Sequence, residues 1–432
     1  MPDPAQVTRL AATQRAIAAV WRLESAKIVA HIARITRDVG VAEELAQDTL
    51  LVALQRWPNE GLPDKPAAWL MAAAKNRALD HVRAAALHAR KHEELGADLE
   101  AQEAMIVPDF VDGLDAARAD DIGDDLLRLI FTACHPVLST EARVALTLRL
   151  LGGLSTAEIA RAYLVAEPTI AQRIVRAKKS LSAARVPFEL PAPSARHERL
   201  ASVLEVIYLI FNEGYTATAG EDWLRPALCD EALRLSRVLM GLMPEEVEVL
   251  GLNALLEIQA SRAHARTDHQ GRPVLLMDQD RSRWDLLLVR RGLASLLRIA
   301  ELGKELGPYA LQAGIAACHA RALRAEQTDW TEIVALYDAL CQLQPSPVVE
   351  LNRAVAVGMA EGPAAALALV DELVDEGALA NYPWLFSVRG DLLVKLGRLS
   401  EATVEIERAA ALTRNERERE LLLERARKLS QH

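Results

Sequence analysis

The sequence predicts an all-α protein with several domains. Leu, Ala, Arg and Glu dominate, and 51% of the 432 residues are hydrophobic although only 4% are aromatic. Apolar residues recur at helical spacing, whereas strand-like alternation of β-branched residues is hard to find. The length suggests about three domains, and the apolar fraction is ample for buried cores. We therefore expect helices throughout the chain.

Neither disulfide pairing nor a membrane segment is indicated. The four cysteines, at positions 134, 229, 318 and 341, have no CxxC or paired spacing, which suits reduced thiols in a cytosol. The N-terminus lacks the basic-then-apolar order of a signal peptide, and no apolar run approaches the ~20 residues of a membrane helix. These features predict a soluble, cytoplasmic protein.

Residues 38–57, DVGVAEELAQDTLLVALQRW, predict an amphipathic helix. Its buried stripe is formed by Ala42, Leu45, Ala46 and Ala53. Its outer face carries Glu44, Asp48, Leu51 and Gln55. An acidic face with an exposed leucine suits docking on a basic protein surface.

A second helix is predicted in AAWLMAAAKNRALDHVRA, after a loop from Pro58 to Pro66. One side of this helix is apolar, with Leu70, Ala74, Ala78 and Val82. The other side is polar and partly cationic, with Asn76, Arg77, Asp80, His81 and Arg83.

Residues 93–125 hold twelve acidic residues and one basic residue, Arg118. Pro108 and Gly113 interrupt the stretch, which predicts a flexible acidic linker.

Residues 152–181, GGLSTAEIARAYLVAEPTIAQRIVRAKKSL, predict two helices joined by a tight turn. Ser155 and Glu158 have the spacing of a capping box, so the first helix should run from Thr156 to about Ala162. Glu167-Pro168 should open the second helix, since proline is favoured at the first helical position.

The second of these helices has an apolar stripe and a cationic outer face. The stripe consists of Ile170, Ile174, Ala177 and Leu181. The outer face carries Thr169, Gln172, Arg173, Arg176 and Lys179. Residues 155–185 hold six Lys/Arg against two Glu, which favours phosphate and base contacts in a DNA groove. An ordinary helical hairpin with a solvated cationic face is the alternative.

The net charge of −10 helps to decide between a DNA-binding helix pair and an ordinary helical hairpin. A free-standing DNA-binding protein gains affinity from a broadly basic surface, which this chain does not offer. A partner could instead hold it on DNA.

The C-terminal half is expected to be helical after a proline-rich boundary at 186–195. GDLLVKLGRLSEATVEIERAAAL has the small and apolar positions of a tetratricopeptide-like pair, at Gly390, Gly397, Ala402, Ile406 and Ala409. A weaker copy lies 36 residues earlier, and no register is evident upstream of residue 345. Such pairs bind a peptide or a neighbouring domain, or form a helical stack with no ligand.

The segment 268–284, DHQGRPVLLMDQDRSRW, interrupts the helical pattern. We expect either a structural loop closed by Asp280 and Arg283 or a regulatory contact.

Catalysis and metal binding find little support. His88 and His92 have i, i+4 spacing but no third ligand follows, and His135 beside Cys134 favours packing over zinc. Phosphate-loop, GxSxG and HExxH motifs do not occur. We expect no enzyme, no metal and no cofactor.

Two of these patterns together resemble a known family. VAEELAQDTLLVALQRWP followed by AWLMAAAKNRALDHVR is similar to region 2 of bacterial RNA polymerase sigma factors of the extracytoplasmic-function (ECF) group. Residues 124–155 and the helix pair after them resemble region 4. LEVIYLIFNEGY and DQDRSRWD are similar to a subgroup with a long helical C-terminal extension.

The resemblance implies four segments and two partners, core RNA polymerase and promoter DNA. The segments are a region 2-like domain at 1–95, an acidic linker at 96–123, a region 4-like helix-turn-helix domain at 124–186 and a helical-repeat extension at 187–432. In the family the linker runs through the polymerase's nucleic-acid channel; a solvated spacer is the other interpretation here.

Particular residues follow from the resemblance. Docking on the clamp helices of the polymerase's largest subunit would fall to Glu44, Asp48, Leu51 and Gln55. A base flipped from the −10 element would lie near Asn59, Glu60, Asp64 and Lys65, with Asn76, Arg77 and Arg83 on the opened strand. The −35 element would be read by Thr169, Gln172, Arg173, Arg176 and Lys179.

The sequence thus predicts a sigma factor, with its extension as a regulator of its own sigma regions or a docking surface for another protein. One alternative is a helix-turn-helix regulator with a helical-repeat sensor domain, which leaves the N-terminal pattern unused. Another is a helical-repeat scaffold, which explains only the C-terminal half.

Overall fold

The protein is a chain of helices joined by short connections. The computed structural model describes residues 4–94, 118–163, 165–215, 225–268, 274–377, 379–413 and 416–430. Helices account for 81% of the structure, and the described residues form no β-strand, which confirms the all-α prediction.

The chain divides into two compact units, residues 1–206 and 207–432. Among its described residues the first unit contains seven complete helices and the first part of an eighth: α1 (Pro4–Thr36), α2 (Val39–Glu60), α3 (Pro66–Glu94), α4 (Arg118–Ala133), α5 (Thr140–Leu150), α6 (Thr156–Ala162), α7 (Glu167–Ala183) and α8 (Pro193–Tyr215).

The N-terminal helices of the first unit pack along the predicted stripes. α1 packs against both α2 and α3. Ala42, Ala46 and Ala53 of α2 are fully buried, and so are Leu70, Ala74 and Ala78 of α3. Small side chains on these stripes let the helix axes approach closely. Leu45 and Val82, the remaining predicted members, are only half-buried.

The helix-turn-helix segment has the predicted boundaries, with α6 beginning at Thr156 and α7 at Glu167. Ile170, Ile174, Ala177 and Leu181 are the buried residues of α7, and α7 packs on α5 and α6. The predicted apolar stripe is therefore confirmed.

Two helix boundaries differ from the sequence-based expectation. α2 continues through Pro58 to Glu60, so Asn59 and Glu60 lie in its last turn and the loop shortens to residues 61–65. α4 begins at Arg118, within the segment expected to be linker. The rest of that segment, 95–117, lies outside the described residues.

α8 crosses the division between the two units, which falls after Val206 rather than at the prolines of 186–195. Side chains from its first half bind the α4–α5 region. Arg199 donates to the carbonyl of Phe131 at 2.7 Å, and Ser202 donates to the carbonyl of Cys134 at 2.6 Å. These contacts explain why residues 193–206 belong to the first unit.

In the described parts of the second unit, the rest of α8 is followed by ten further α-helices: α9 (Pro226–Leu242), α10 (Val247–Ser261), α11 (Leu286–Leu302), α12 (Pro308–Arg321), α13 (Trp330–Leu343), α14 (Pro347–Ala360), α15 (Pro363–Glu376), α16 (Pro383–Lys395), α17 (Leu399–Leu412) and α18 (Glu416–Leu429). Consecutive helices from α12 onward pack on one another.

Helical pairs build the second unit, and small residues set their spacing. A Cβ at Gly390 would lie 2.7 Å from Ile406, and one at Gly358 would lie 2.9 Å from Ala366. Pairing extends upstream of residue 345, where the sequence shows no register, since α12 packs on α13. Gly314 of α12 faces Leu336 of α13, and a Cβ at Gly314 would lie 3.3 Å from the leucine side chain, a looser approach than in the two pairs above.

The segment 274–285 packs through short 3-10 turns at Leu276–Asp278 and Arg281–Arg283. Asp280 caps the second turn by accepting from the backbone N–H of Ser282 at 3.0 Å. Arg281, rather than the predicted Arg283, closes the segment, because it donates to the carbonyls of His319 and Ala322 at 2.6 Å each.

Within the described parts of the chain, no helix is both long and apolar enough to cross a membrane.

Candidate nucleic-acid interface

The pair α6–α7 is held by contacts at the helix N-termini. Ser155 accepts from the backbone N–H of Glu158 at 3.2 Å, and the Glu158 carboxylate accepts from the backbone N–H of Ser155 at 2.8 Å. The bond from that backbone N–H lowers the pKa of Glu158, so the carboxylate is charged at neutral pH. The Thr156 hydroxyl donates to Glu167 at 3.0 Å and thereby connects the two helices. The capping box predicted from the sequence is confirmed.

The outer face of α7 is open. Thr169, Gln172, Arg176 and Lys179 are exposed, and Arg173 is half-buried. A cleft of about 420 Å³ runs between this face and the start of α5, lined by Ser139 and Ala142 on the α5 side. Four of the five predicted DNA-contacting residues line it, namely Thr169, Gln172, Arg173 and Arg176. Lys179 is on the exposed face beside the cleft.

The predicted docking residues form an exposed row along α2. Glu44, Asp48, Leu51 and Gln55 all reach solvent, and Leu51 is 54% exposed although it is a large apolar side chain. Asp48 lies 4.0 Å from Arg77 of α3. The polar faces of α2 and α3 therefore meet along one side of the unit.

The loop between α2 and α3 is fixed at both ends. Gly61 has φ +91°, and its N–H donates to the carbonyl of Trp57 at 3.0 Å. The rings of Trp57 and Trp69 meet edge to face with centroids 5.3 Å apart. Asn59, Glu60, Asp64 and Lys65 are exposed around this loop, and Asn76 and Arg83 are exposed on α3. The exposed polar groups therefore lie in a row at the corner between α2 and α3.

A buried carboxylate joins α2 to the helix-turn-helix segment. Glu43 is 5% exposed, accepts from Arg149 of α5 at 2.5 Å and forms an ion pair with Lys178 of α7. Burial alone would raise the pKa of Glu43, but Lys178 and Arg149 outweigh it and hold the pKa below its ordinary 4.5. The carboxylate is therefore charged at neutral pH.

A second buried carboxylate joins α1 to α4. Asp125 is 1% exposed and lies 3.0 Å from Arg34 and 3.6 Å from His31, both on α1. Arg128, on the same helix as Asp125, donates to it at 2.7 Å. The N-terminal helices and α4–α7 are thus held together by two charged clusters.

Sequence reasoning missed Glu43 and Asp125 as contact residues. One signal was present, since Glu43 lies beside Ala42 and Ala46 on the buried stripe of its helix. A charged residue on an apolar stripe indicates a partner that can neutralise it. The partners Arg149 and Lys178 are more than one hundred positions away and carry no local signal.

The residues considered for metal binding have other contacts where they are described. Cys134 lies 3.4 Å from the hydroxyl of Thr147, and the Nδ1 atom of His135 accepts from the N–H of Val137 at 3.1 Å. The side chains of His88 and His92 lie outside the described part.

Comparisons with known proteins define the class. Residues 21–87 match the sigma-70 region 2 family and residues 128–181 match sigma-70 region 4, so the two open faces lie in the matched segments. Residues 199–300 match a family of unknown function, DUF6596.

Individual relatives of the chain include ECF sigma factors. The chain is 32% identical to the ECF RNA polymerase sigma factor SigC of Mycobacterium tuberculosis over 171 residues, which is 40% of this chain and 80% of SigC. It is 29% identical to SigL of the same species over 179 residues, covering 41% of this chain and 93% of SigL. It is also 48% identical over 383 residues, 88% of each chain, to an uncharacterized protein of Rhizobium meliloti.

The chain belongs to the ECF group of RNA polymerase sigma factors, in a form extended by a C-terminal helical region. It is a promoter-recognising transcription initiation factor. The alternative of a conventional helix-turn-helix regulator is not favoured, because it leaves the region 2 match unexplained.

Proposed function

We propose that the exposed residues of α7 read the −35 element as duplex DNA. The observation that carries this assignment is the open cationic face of α7 beside the cleft at α5. Arginine binds the guanine edge bidentately in the major groove, and glutamine and threonine suit other base edges. Arg173, Arg176 and Gln172 therefore determine sequence preference, whereas Lys179 contacts phosphate.

The corner between α2 and α3 acts on the −10 element. Asn59, Glu60, Asp64 and Lys65 surround the position of a base taken out of the stack, and Asn76, Arg77 and Arg83 contact the opened strand. Removal of a base costs a few kcal/mol, so a surface that holds it stabilises melted DNA. The rigid setting between Trp57 and Trp69 supports this role, because a preformed surface loses little entropy on binding.

Glu44, Asp48, Leu51 and Gln55 dock on core polymerase. Their face combines carboxylates with an exposed leucine, and it lies beside rather than over the DNA-facing residues of α3. Core polymerase provides most of the contacts with nucleic acid. This explains how a subunit that contacts DNA has a net charge of −10.

Binding both promoter elements requires the first unit to open. The −10 and −35 elements are ~85 Å apart, taking about 25 base pairs at about 3.4 Å each. The contacts of Glu43 with Arg149 and Lys178 hold α2 directly against α5 and α7. The chain between α3 and α4, residues 95–117, has enough length to span ~80 Å when extended. We therefore expect these contacts to break when the holoenzyme binds its promoter.

The C-terminal extension regulates the sigma regions in cis. Covalent connection gives it a high effective concentration near them, so even a weak contact could shift the balance between states. The whole protein acts in the cytoplasm by binding rather than by catalysis, and it needs no cofactor.

The test is transcription in vitro by bacterial core polymerase on genomic DNA fragments, with and without this protein. We expect new transcripts with discrete start sites that appear only when the full-length protein is added. A variant with Asp48→Arg and Leu51→Glu serves as the control for core docking. If core polymerase alone gives the same transcripts, the proposed function is contradicted.

A further inference from the structure

Trp284 is the centre of an aromatic and cationic cluster in the second unit. The Trp284 side chain is 5% exposed. The guanidinium carbons of Arg281 and Arg262 lie 5.2 and 5.9 Å from its ring centroid. Arg262 is also 6.0 Å from the ring of Tyr215, at the end of α8. Residues distant in sequence thus gather two positive charges around one buried indole.

The two guanidinium groups lack carboxylate partners among the described residues. Arg262 donates to the side-chain oxygen of Gln259, and Arg281 donates to the carbonyls of His319 and Ala322. Burial lowers the pKa of Arg281, an effect that Glu326 opposes and Arg262 adds to. The cluster therefore carries positive charge that no contacting carboxylate neutralises.

Five side-chain polar atoms of this cluster have no hydrogen-bond partner among the described residues. Trp284 Nε1, the Tyr215 hydroxyl and His319 Nδ1 belong to side chains that are 5%, 9% and 8% exposed, and none of the three atoms is bonded. The Nε atoms of Arg262 and Arg281 are unbonded as well. A native fold rarely buries several unpaired donors at one place unless another molecule supplies the acceptors.

His319 reinforces the need for an acceptor. Burial, together with the charges of Arg262 and Arg281, lowers the pKa of His319 to about 4. Its imidazole is therefore neutral at physiological pH. An anion placed among these groups would relieve the repulsion between the guanidiniums and accept bonds from the indole and phenol.

We propose that the cluster of Tyr215, Arg262, Arg281, Trp284 and His319 binds the oxyanion group, a carboxylate or a phosphate, of a small molecule. Arginine and indole N–H groups are donors that match these oxygens. The side chains of Trp284, Tyr215 and His319 are nearly enclosed, while Arg262 and Arg281 are half-buried, so an anion would reach the cluster from the side of the two arginines. With this site, the C-terminal extension would bind a small molecule. The proposal does not depend on the promoter-binding residues assigned above.

Titration calorimetry of the full-length protein tests the proposal, with inorganic phosphate and succinate as separate probes. We expect saturable one-to-one binding of at least one probe. Binding of phosphate alone would identify a phosphorylated ligand, and binding of succinate alone a carboxylic acid. Failure of both probes to bind at about 50 mM, far above a weak millimolar affinity, would overturn the proposal.

Three variants separate a specific site from general attraction of anions. Arg262→Gln should weaken the affinity by about tenfold or more, because a charged donor is lost. Trp284→Phe keeps an aromatic ring and removes only the N–H, so a smaller loss is expected. Arg290→Gln, an exposed residue of α11, makes the same charge change away from the cluster and should have no effect. Equal effects of Arg262→Gln and Arg290→Gln would contradict the proposal, once circular dichroism shows that both variants are folded.

Discussion

At the scale of single residues, the same side-chain type has different roles depending on its partners. Arg176 and Lys179 lie on the open face of α7, whereas Lys178 between them turns inward to Glu43. Arg281 is half-buried and caps the end of α12 through two carbonyls. A count of cations along α7 therefore overstates the charge on its open face.

Arg176→Ala should reduce recognition of the −35 element while core binding is unchanged. Loss of one bidentate base contact costs ~1 to 3 kcal/mol, so affinity for the promoter should fall by about 5-fold to 150-fold. Footprinting by the holoenzyme at several salt concentrations measures this effect. Lys179→Ala, which removes the proposed phosphate contact, should lower binding on all sequences alike; if both variants footprint like the parent, α7 is not the reading helix.

The cysteines should be nearly inert in the folded protein. Burial raises the pKa of Cys134 to about 11 and that of Cys229 to about 12. At pH 8 the thiolate fraction of Cys134 is then about one in a thousand, and thiolate is the reactive form. Alkylation followed by mass spectrometry should show slow labelling of the native protein and rapid labelling of all four thiols in denaturant. Rapid labelling of the native protein at Cys134 would contradict the burial of this site.

At the scale of helices, two sets of ion pairs join the N-terminal helices to α4–α7. Glu43 binds Arg149 and Lys178, and Asp125 binds Arg34. Contacts of this kind are strong when every charge is paired and become unfavourable when one partner is removed. They are the contacts that the proposed separation of the two regions on the promoter would break.

Glu43→Ala should destabilise the first unit by ~3 kcal/mol, because it leaves two partly buried cations unpaired. Urea unfolding followed by circular dichroism measures the change in the free energy of unfolding. Glu44→Ala, one residue along on the exposed face, should change it by less than ~0.5 kcal/mol.

The contribution of Glu43 to the free energy of unfolding should decrease as the pH falls. Since the folded pKa of Glu43 is lowered below 4.5, its stabilisation is fully present at neutral pH and is lost as the pH falls below 4.5. The difference between Glu43→Ala and the parent should therefore shrink in acid. Equal stability of parent and Glu43→Ala at pH 7 would show that the ion pairs contribute nothing.

Asp48→Arg combined with Leu51→Glu should weaken binding to core polymerase without altering the fold, because both side chains are exposed on α2. Co-purification with core measures this loss, and circular dichroism checks helicity. Leu87→Glu, which changes an exposed leucine near the end of α3, is the matched control. Normal core binding by the double variant would place the docking surface elsewhere.

Local signals made much of the helix-turn-helix predictable. The capping box of Ser155 and Glu158 and the proline at position 168 set helix starts through neighbours in sequence. Contacts between residues that are far apart in the sequence were not predictable, and the ion pair of Glu43 with Arg149 is an example. The same holds for α8: prolines before it suggested a boundary, but Arg199 and Ser202 attach its first half to the first unit. The residue-level roles in DNA and polymerase binding stay predictions.

At the scale of the whole molecule, a sigma factor with regions 2 and 4 continues into a second unit of stacked helices. The prolines at 186–195 are not a safe place to separate the two, since residues up to Val206 belong to the first unit. A chain that ends after Val206 retains Arg199 and Ser202 and is the better truncation.

That truncation should change transcription from a promoter that the full-length protein uses. Loss of activity would mean that the extension assists polymerase or promoter binding, and gain would mean that it inhibits. Folding of the shortened chain is checked first by its unfolding transition. Superimposable titrations of the two proteins against core would exclude regulation in cis and favour docking of another protein on the extension.

Promoter opening tests the central claim most directly. Permanganate reactivity of thymines at the −10 element reports unpaired bases, measured with core polymerase alone, with the full-length protein added, and with Asp48→Arg plus Leu51→Glu. We expect reactive thymines only when core and the full-length protein are present together, and a loss of reactivity with the double variant. Two results would contradict the account. One is that thymines stay unreactive at every promoter that the complex transcribes, and the other is that they react equally with core polymerase alone.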